Sequence, residues 1–118
     1  MTDRHMTPDE QAVVLAMLAQ DFPGSAELRA QVPSALVIGE CGCGCATIEL
    51  TVKSAPRSVN APVQDGMLIS AEVQGTEAGV LLFVKDGYLS CVEVYSSGDQ
   101  PAVLPRPEQL VVESISAS

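Results

Sequence analysis

Three cysteines at alternate positions are the residues of this chain whose type and spacing could do chemistry. Cys41, Cys43 and Cys45 are separated by single glycines, and the fourth cysteine, Cys91, lies far along the chain. Thiols spaced in this way can hold a soft metal ion, cycle between thiol and disulfide, or pack as small apolar side chains. The spacing therefore leaves three hypotheses open.

The metal hypothesis depends on the shape of the backbone. In an extended strand, residues two apart lie about 6.7 Å apart on one face, so Cys41 and Cys43 could share an ion. All three sulfurs reach one metal only if the backbone curls, which glycine permits. The predicted site comprises Cys41, Cys43, Cys45 and Cys91 around zinc or copper(I), although the two C-x-x-C knuckles of a familiar zinc site are absent.

The redox hypothesis is a Cys-Gly-Cys disulfide that forms and breaks. A nearby cation would lower a thiol pKa, but the neighbour here is Glu40, which acts in the opposite direction.

In the packing hypothesis, cysteine and glycine are simply small residues that permit a sharp bend. Counting along the strands predicts that Cys91 shares a face with Glu93 and Tyr95, the more polar side of a sheet.

We expect no catalytic residues, and hence no enzyme. The single histidine, His5, lies in a polar leader, which leaves no nucleophile–base pair. Glu49, Glu72 and Glu93 lie mid-strand and could do acid–base work if their strands were neighbours, but solvated strand faces carry glutamates routinely. The chain has no phosphate-binding glycine loop and no Gly-x-Ser-x-Gly elbow.

Charge and length limit the class of partner. Six basic and fifteen acidic residues give a net charge of −9, which disfavours nucleic acid and anionic membrane and favours a cationic protein partner or a cation. No run approaches the roughly 18 apolar residues of a membrane span, and the start lacks a secretory pattern. The sequence indicates a cytoplasmic protein, where thiols are mostly reduced.

The pattern of elements predicts one α+β domain over residues 1–118, with a flexible leader at 1–6 and a flexible tail at 114–118. Thr7, Pro8 and Glu10 form the signature of a capping box that opens a first helix, and Ser25 is predicted to cap a second over residues 26–31. Five strands follow, at residues 35–39, 46–53, 67–74, 80–84 and 88–96. Alternation is clear in 46–53 and in 67–74, where one face would carry Met67, Ile69, Ala71 and Val73 and the other Leu68, Ser70, Glu72 and Gln74.

The segments between these strands carry further predictions. Residues 54–66 form a long linker, residues 75–79 a turn, and Lys85-Asp86-Gly87 a hairpin turn. Residues 80–84 are apolar on both faces, which predicts a central strand. Residues 108–114 form a short helix or an edge strand. The fold class is thus two N-terminal helices packed on one face of a mainly antiparallel sheet of about five strands.

The tract from Tyr88 to Asp99 contains both tyrosines. Tyr95 and Asp99 are candidate interaction residues, with the alternative that Tyr95 anchors the sheet edge and Asp99 organises a turn.

Several short motifs resemble a group of small bacterial proteins of high-GC, actinobacterial type. They are Asp21-Phe22-Pro23-Gly24 with Glu27-Leu28-Arg29, the string from Cys41 to Cys45, and Leu89-Ser90 with Glu93-Val94-Tyr95-Ser96 and Gly98-Asp99. The group carries no assigned activity, so the resemblance transfers no site residue to this chain. Cys91 belongs to none of the group's motifs.

Together these observations favour a cytoplasmic, non-enzymatic domain that acts by binding a protein partner and needs no cofactor. The alternative is a thiolate protein that binds zinc or copper(I) through Cys41, Cys43 and Cys45, and the third hypothesis is a thiol redox protein. The sequence leaves the oligomeric state open.

Overall fold

The computed structural model describes residues 3–40, 46–52, 61–97 and 103–116. These residues form two α-helices, α1 (Pro8–Met17) and α2 (Ser25–Gln31), and seven strands. The strands are β1 (Arg4–His5), β2 (Leu36–Glu40), β3 (Ile48–Thr51), β4 (Gly66–Val73), β5 (Ala78–Lys85), β6 (Tyr88–Ser96) and β7 (Leu110–Ile115). The α+β class is confirmed, but the predicted number of strands is too small.

All seven described strands belong to one antiparallel sheet, in the order β1-β2-β3-β6-β5-β4-β7. Strands β4, β5 and β6 follow each other as a meander, and β2 and β3 form a hairpin beside it. Residues 80–84, predicted as a central strand, lie in β5, which is paired on both sides.

The start of α1 matches its sequence signature. The Thr7 hydroxyl accepts a hydrogen bond from the Glu10 N–H at 3.1 Å, and the Glu10 carboxylate accepts one from the Thr7 N–H at 2.9 Å. Two backbone donors at the end of the helix are thereby satisfied, as the capping box requires.

The segment predicted as a flexible leader is part of the fold where the structure describes it. Arg4 and His5 pair with Val37 and Leu36 of β2, so His5 lies in a strand. Met6 is buried with 3% of its surface exposed. This strand could not be predicted from the sequence, because a two-residue strand between polar residues leaves no periodicity to detect.

The second helix begins one residue earlier than predicted, and Ser25 is not its cap. Gly24 occupies the N-cap position with φ of +98°, a left-handed conformation that favours glycine. Ser25 is buried in the first turn, and its hydroxyl accepts a hydrogen bond from the Phe22 N–H at 3.3 Å. A methyl group at Gly24 would lie 2.9 Å from Val63 Cγ1, so a side chain at this position would also crowd the segment that contains Val63.

Two predictions in the meander are wrong for reasons of backbone geometry. A register shift between Met67 and Ile69 turns both Leu68 and Ile69 into the core and leaves Met67 exposed, which breaks the predicted alternation. Gly79, predicted as part of a turn, lies inside β5 opposite Tyr95.

The hairpin turn and the last strand agree with the sequence. Asp86 and Gly87 have φ of +55° and +83°, as the favoured two-residue hairpin turns require. Residues 110–115 form an edge strand, which was one of the two alternatives for this segment. Ser114 and Ile115, at the start of the predicted tail, pair with β4.

A single aliphatic core joins the helices to one face of the sheet. Its buried members on β3, β5 and β6 largely alternate with less buried residues along each strand. Helix α1 contacts β7 and helix α2 contacts β6, and their inward side chains, such as Val13 and Leu28, belong to the same core. The opposite side of the sheet carries the partly exposed residues.

Candidate functional site: the open face of the sheet

We call the sheet side opposite the core the open face. Residues directly opposite each other in an antiparallel pair share a face, so the strand register defines its rows. The first row runs across five strands through Gly39, Glu49, Cys91, Phe83 and Met67. The second contains Glu93, Leu81, Ser70 and Ser114, and the third contains Tyr95, Gly79, Glu72 and Val111.

The middle of the open face is apolar. Leu81 and Phe83 are neighbours on one side of β5, and both are partly exposed. Met67 and Tyr95 lie at the two ends of this strip, with 39% and 40% of their surfaces exposed. We call these four residues the apolar strip. It explains why β5 reads as apolar on both faces, although only one face lies in the core.

Tyr95 lies over the backbone of Gly79. A methyl group built on Gly79 would collide with the Tyr95 hydroxyl and ring. An aromatic side chain that packs across a strand glycine compensates for the missing side chain and covers the exposed backbone. The candidate interaction residue Tyr95 therefore also has a local packing role on the open face.

Glutamates flank the apolar strip on both sides. Glu49 and Glu93 lie on β3 and β6, where Glu49 is opposite Cys91 and diagonal to Glu93. The Glu49 carboxylate reaches over β2, since a methyl group on Gly39 would lie 2.8 Å from Glu49 Oε2. On the other side, Glu72 lies on β4 and Glu113 on β7.

The register of β7 places Glu113 on this face. A shift between Ser70 and Ala71 leaves Glu113 unpaired in the ladder, and the Ser70 hydroxyl lies 3.5 Å from Glu113 Oε1. We call Glu49, Glu72, Glu93 and Glu113 the flanking glutamates.

The flanking glutamates have no cationic partner among the described residues. Arg4 forms ion pairs with Glu10 at 2.8 Å and with Glu40 at 3.6 Å, and neither of these carboxylates is a flanking glutamate. Alternation along β5 places Lys85 on the open face as well, but at the hairpin end, opposite Tyr88. The described open face is consequently acidic.

Thr47 holds β3 against β6 and so positions Glu49. Its hydroxyl accepts a hydrogen bond from the Val94 N–H at 2.9 Å and donates one to the Val94 carbonyl at 3.1 Å. Backbone pairing between β3 and β6 covers Ile48 and Glu49 among the described residues. The Thr47 side chain thus extends the ladder by replacing a backbone partner.

Cys91 lies at the centre of the open face, where the protonated thiol is favoured. Burial raises the pKa of Cys91, and the negative charges of Glu93 and Glu49 raise it further. Cys91 forms no disulfide with any described residue. This environment opposes formation of the thiolate that a nucleophile or a metal ligand needs.

The predicted site residues have different outcomes. Cys41, Cys43, Cys45 and Asp99 lie outside the described residues. The predicted parity of Cys91 is confirmed, since Val92 and Val94 are buried and Cys91 is opposite Glu49. Within the described ranges, no three His, Cys, Asp or Glu side chains are arranged to hold a metal ion.

The strand glutamates are only partly brought together. Glu49 and Glu93 lie on neighbouring strands, whereas Glu72 lies on the far side of β5. Sequence reasoning missed Leu81 and Phe83 as surface residues because it interpreted two apolar faces as two buried faces.

No protein-family model, no curated protein and no solved structure matches this chain. Among the residues that the structure describes, no helix is long and apolar enough to cross a membrane.

Proposed function

We propose that this chain is a non-enzymatic binding domain whose open face receives a protein partner. The observation that supports this proposal is the apolar strip. Its four side chains lie together on one face of the sheet, and no described helix covers them. Contiguous apolar surface rimmed by polar residues is typical of protein interaction sites.

The surrounding charge favours a protein over the other macromolecules. The flanking glutamates repel nucleic-acid phosphates and anionic lipid headgroups, and the chain as a whole carries a net charge of −9. Aromatic and methionine side chains such as Tyr95 and Met67 are enriched at protein interfaces.

The experiment compares two matched pairs of substitutions. Met67→Ser with Leu81→Ser removes apolar surface from the open face. The control, Leu15→Ser with Val103→Ser, removes exposed apolar side chains elsewhere; Leu15 and Val103 are 40% and 76% exposed. Tagged protein is used to isolate partners from its source cells, and each partner is then purified and titrated against both variants.

We expect the open-face variant to lose at least tenfold in affinity for the partner, because central interface positions contribute most of the binding energy. The control should bind as the unmodified chain does. Equal binding by the two variants, or the absence of any partner, would refute the proposal.

A second proposal concerns the thiols and is favoured by the position of the residues around the string. Glu40, which precedes the string, lies opposite Ile48 of β3. The next residue of β3, Glu49, lies opposite Cys91 of β6. The chain therefore enters the string close to the strand that pairs with Cys91. This placement of Glu40 favours a zinc or copper(I) site on Cys41, Cys43 and Cys45, whereas the carboxylates around Cys91 oppose its thiolate.

Native and denatured masses of protein purified under reducing conditions test the metal proposal. A bound metal that is lost in Cys43→Ser would establish it and would make binding of a protein partner a separate property. Metal-free protein with reactive thiols would refute it. A disulfide that forms reversibly within the string, with no metal, would support the third hypothesis of redox chemistry instead.

A further inference from the structure

We propose that the segment bound on the open face is a basic amphipathic helix that lies along β5. This inference rests on the proposed function, because it specifies the partner of the same surface. The helix would place apolar side chains on the apolar strip and lysine or arginine side chains over the flanking glutamates on both sides.

The spacing of the strands fits a helix. Neighbouring strands lie about 4.8 Å apart, so Glu93 on β6 and Glu72 on β4 lie on strands separated by about 10 Å, with β5 between them. A helix with its side chains is about 10–12 Å wide. One helix would therefore cover the apolar strip, and the two sides of the helix would lie above the flanking glutamates.

The spacing along β5 fits as well. Leu81 and Phe83 are two residues apart on one face of a strand, which separates them by about 6.8 Å. Side chains four residues apart on a helix are separated by about 6 Å along the axis. An i, i+4 pair of apolar side chains can thus pack against both residues at once.

The negative charge of the open face favours a positively charged partner. Four carboxylates share this face, and none forms an ion pair with a described cation. Glu49 and Glu93 are diagonal neighbours on adjacent strands, where like charges oppose each other. A lysine or arginine on the bound helix would relieve this repulsion, whereas an acidic or neutral helix would not.

A designed peptide provides the probe. It is an 18-residue helix of leucine and lysine, with leucine on one stripe and lysine on the rest of the surface. Two controls have the same length: a scrambled sequence of the same composition, and a version with glutamate in place of lysine. Binding is measured by fluorescence anisotropy, and the contact surface is mapped by amide chemical shifts.

We expect the amphipathic lysine peptide to bind and to shift the amides of Leu81 and Phe83, while both controls bind at least tenfold more weakly. Neutralising Glu49, Glu72 and Glu93 with glutamine should weaken binding about tenfold, and raised salt should do the same. The matched control neutralises Asp9, Glu27 and Glu108, which lie on the helices and the turn before β7. It should bind as the unmodified chain does.

Equal binding of the scrambled peptide, or equal loss in the two neutralised variants, would show that only general charge attraction operates and would overturn the inference. So would shifts confined to the helices. The proposed function fails separately. If binding of a cellular partner depended on Met67 and Leu81 but not on the flanking glutamates, the proposed function would stand and the basic helix would be refuted.

Discussion

The side-chain amide of Gln31 occupies the place of a strand partner for the backbone at Leu89. Its oxygen accepts a hydrogen bond from the Leu89 N–H at 2.9 Å, and its nitrogen donates to the Gly87 carbonyl at 2.9 Å. Gln31 is fully buried at the end of α2, so one side chain joins the helix layer to the beginning of β6.

Replacing Gln31 by leucine should destabilise the fold substantially. The volume is similar, but the buried Leu89 N–H loses its acceptor, and an unsatisfied buried donor costs about 1–3 kcal/mol. Urea unfolding measures the change. The control is Gln20→Leu, at an exposed position after α1, which should change the unfolding free energy by less than about 0.5 kcal/mol. Equal effects in the two variants would contradict the role of the amide.

Gly79 and Tyr95 should show strong energetic coupling. Gly79→Ala places a methyl group into the Tyr95 ring, and overpacking of this kind costs about 1–3 kcal/mol. In a Tyr95→Ser background the space is open, so the same change should cost almost nothing. A double-mutant cycle by chemical denaturation gives the coupling energy, and simple additivity of the two changes would show that the ring does not contact the glycine.

Stability at acid pH should depend on Glu10. Burial by itself raises the pKa of Glu10, but its bonds to Arg4 and to the Thr7 backbone outweigh burial, and the net pKa lies below the usual value. The resulting stability is present above the ordinary carboxyl pKa of about 4.3 and is lost as pH falls through the lowered value.

Thermal unfolding of Glu10→Gln between pH 7 and pH 3 tests this dependence. Glutamine keeps the capping box but not the charge. The variant should lose less than about 1 kcal/mol at pH 7 and should show a weaker decline in acid than the unmodified chain. Arg4→Met should also weaken the decline, because it removes the pairing cation. Parallel curves for all three proteins would refute the contribution of this ion pair.

The Cys91 thiol should react slowly with an alkylating agent. Its raised pKa leaves little thiolate at pH 8, and thiolate is the reactive form. In a chain whose Cys41, Cys43 and Cys45 are replaced by serine, the rate should lie several-fold below that of a free cysteine. Glu93→Gln should increase the rate, whereas Glu108→Gln should not. No change in Glu93→Gln would mean that the carboxylate does not affect the thiol.

The sequence predicted those elements whose cause is local. Thr7 and Glu10 predict the start of the first helix because a capping box is completed within four residues. Asp86-Gly87 predicts the hairpin because these residue types adopt the positive φ that its turn requires. The face of Cys91 followed from simple alternation between Cys91 and Ser96, because the register shift in β6 lies at Ser90, before that stretch.

The remaining features depend on contacts between distant segments. β1 forms by pairing with the edge of β2. The burial of Leu68 beside Ile69 depends on the register shift in the pairing of β4 with β5. The apolar strip could not be recognised as surface, because composition alone does not say which of two apolar faces the helices cover. Gln31 and Thr47 likewise gained their roles from partners more than forty residues away.

The junction between β3 and β6 has a consequence for how the chain acquires its structure. Among the described residues, the hairpin β2–β3 joins the meander through only Ile48 and Glu49, supplemented by Thr47. The meander is built from contacts between successive strands, which close short loops at small entropic cost, whereas the junction closes a loop of more than forty residues. We therefore expect the C-terminal half of the molecule to nucleate first and the N-terminal half to condense onto it, an order opposite to that of synthesis.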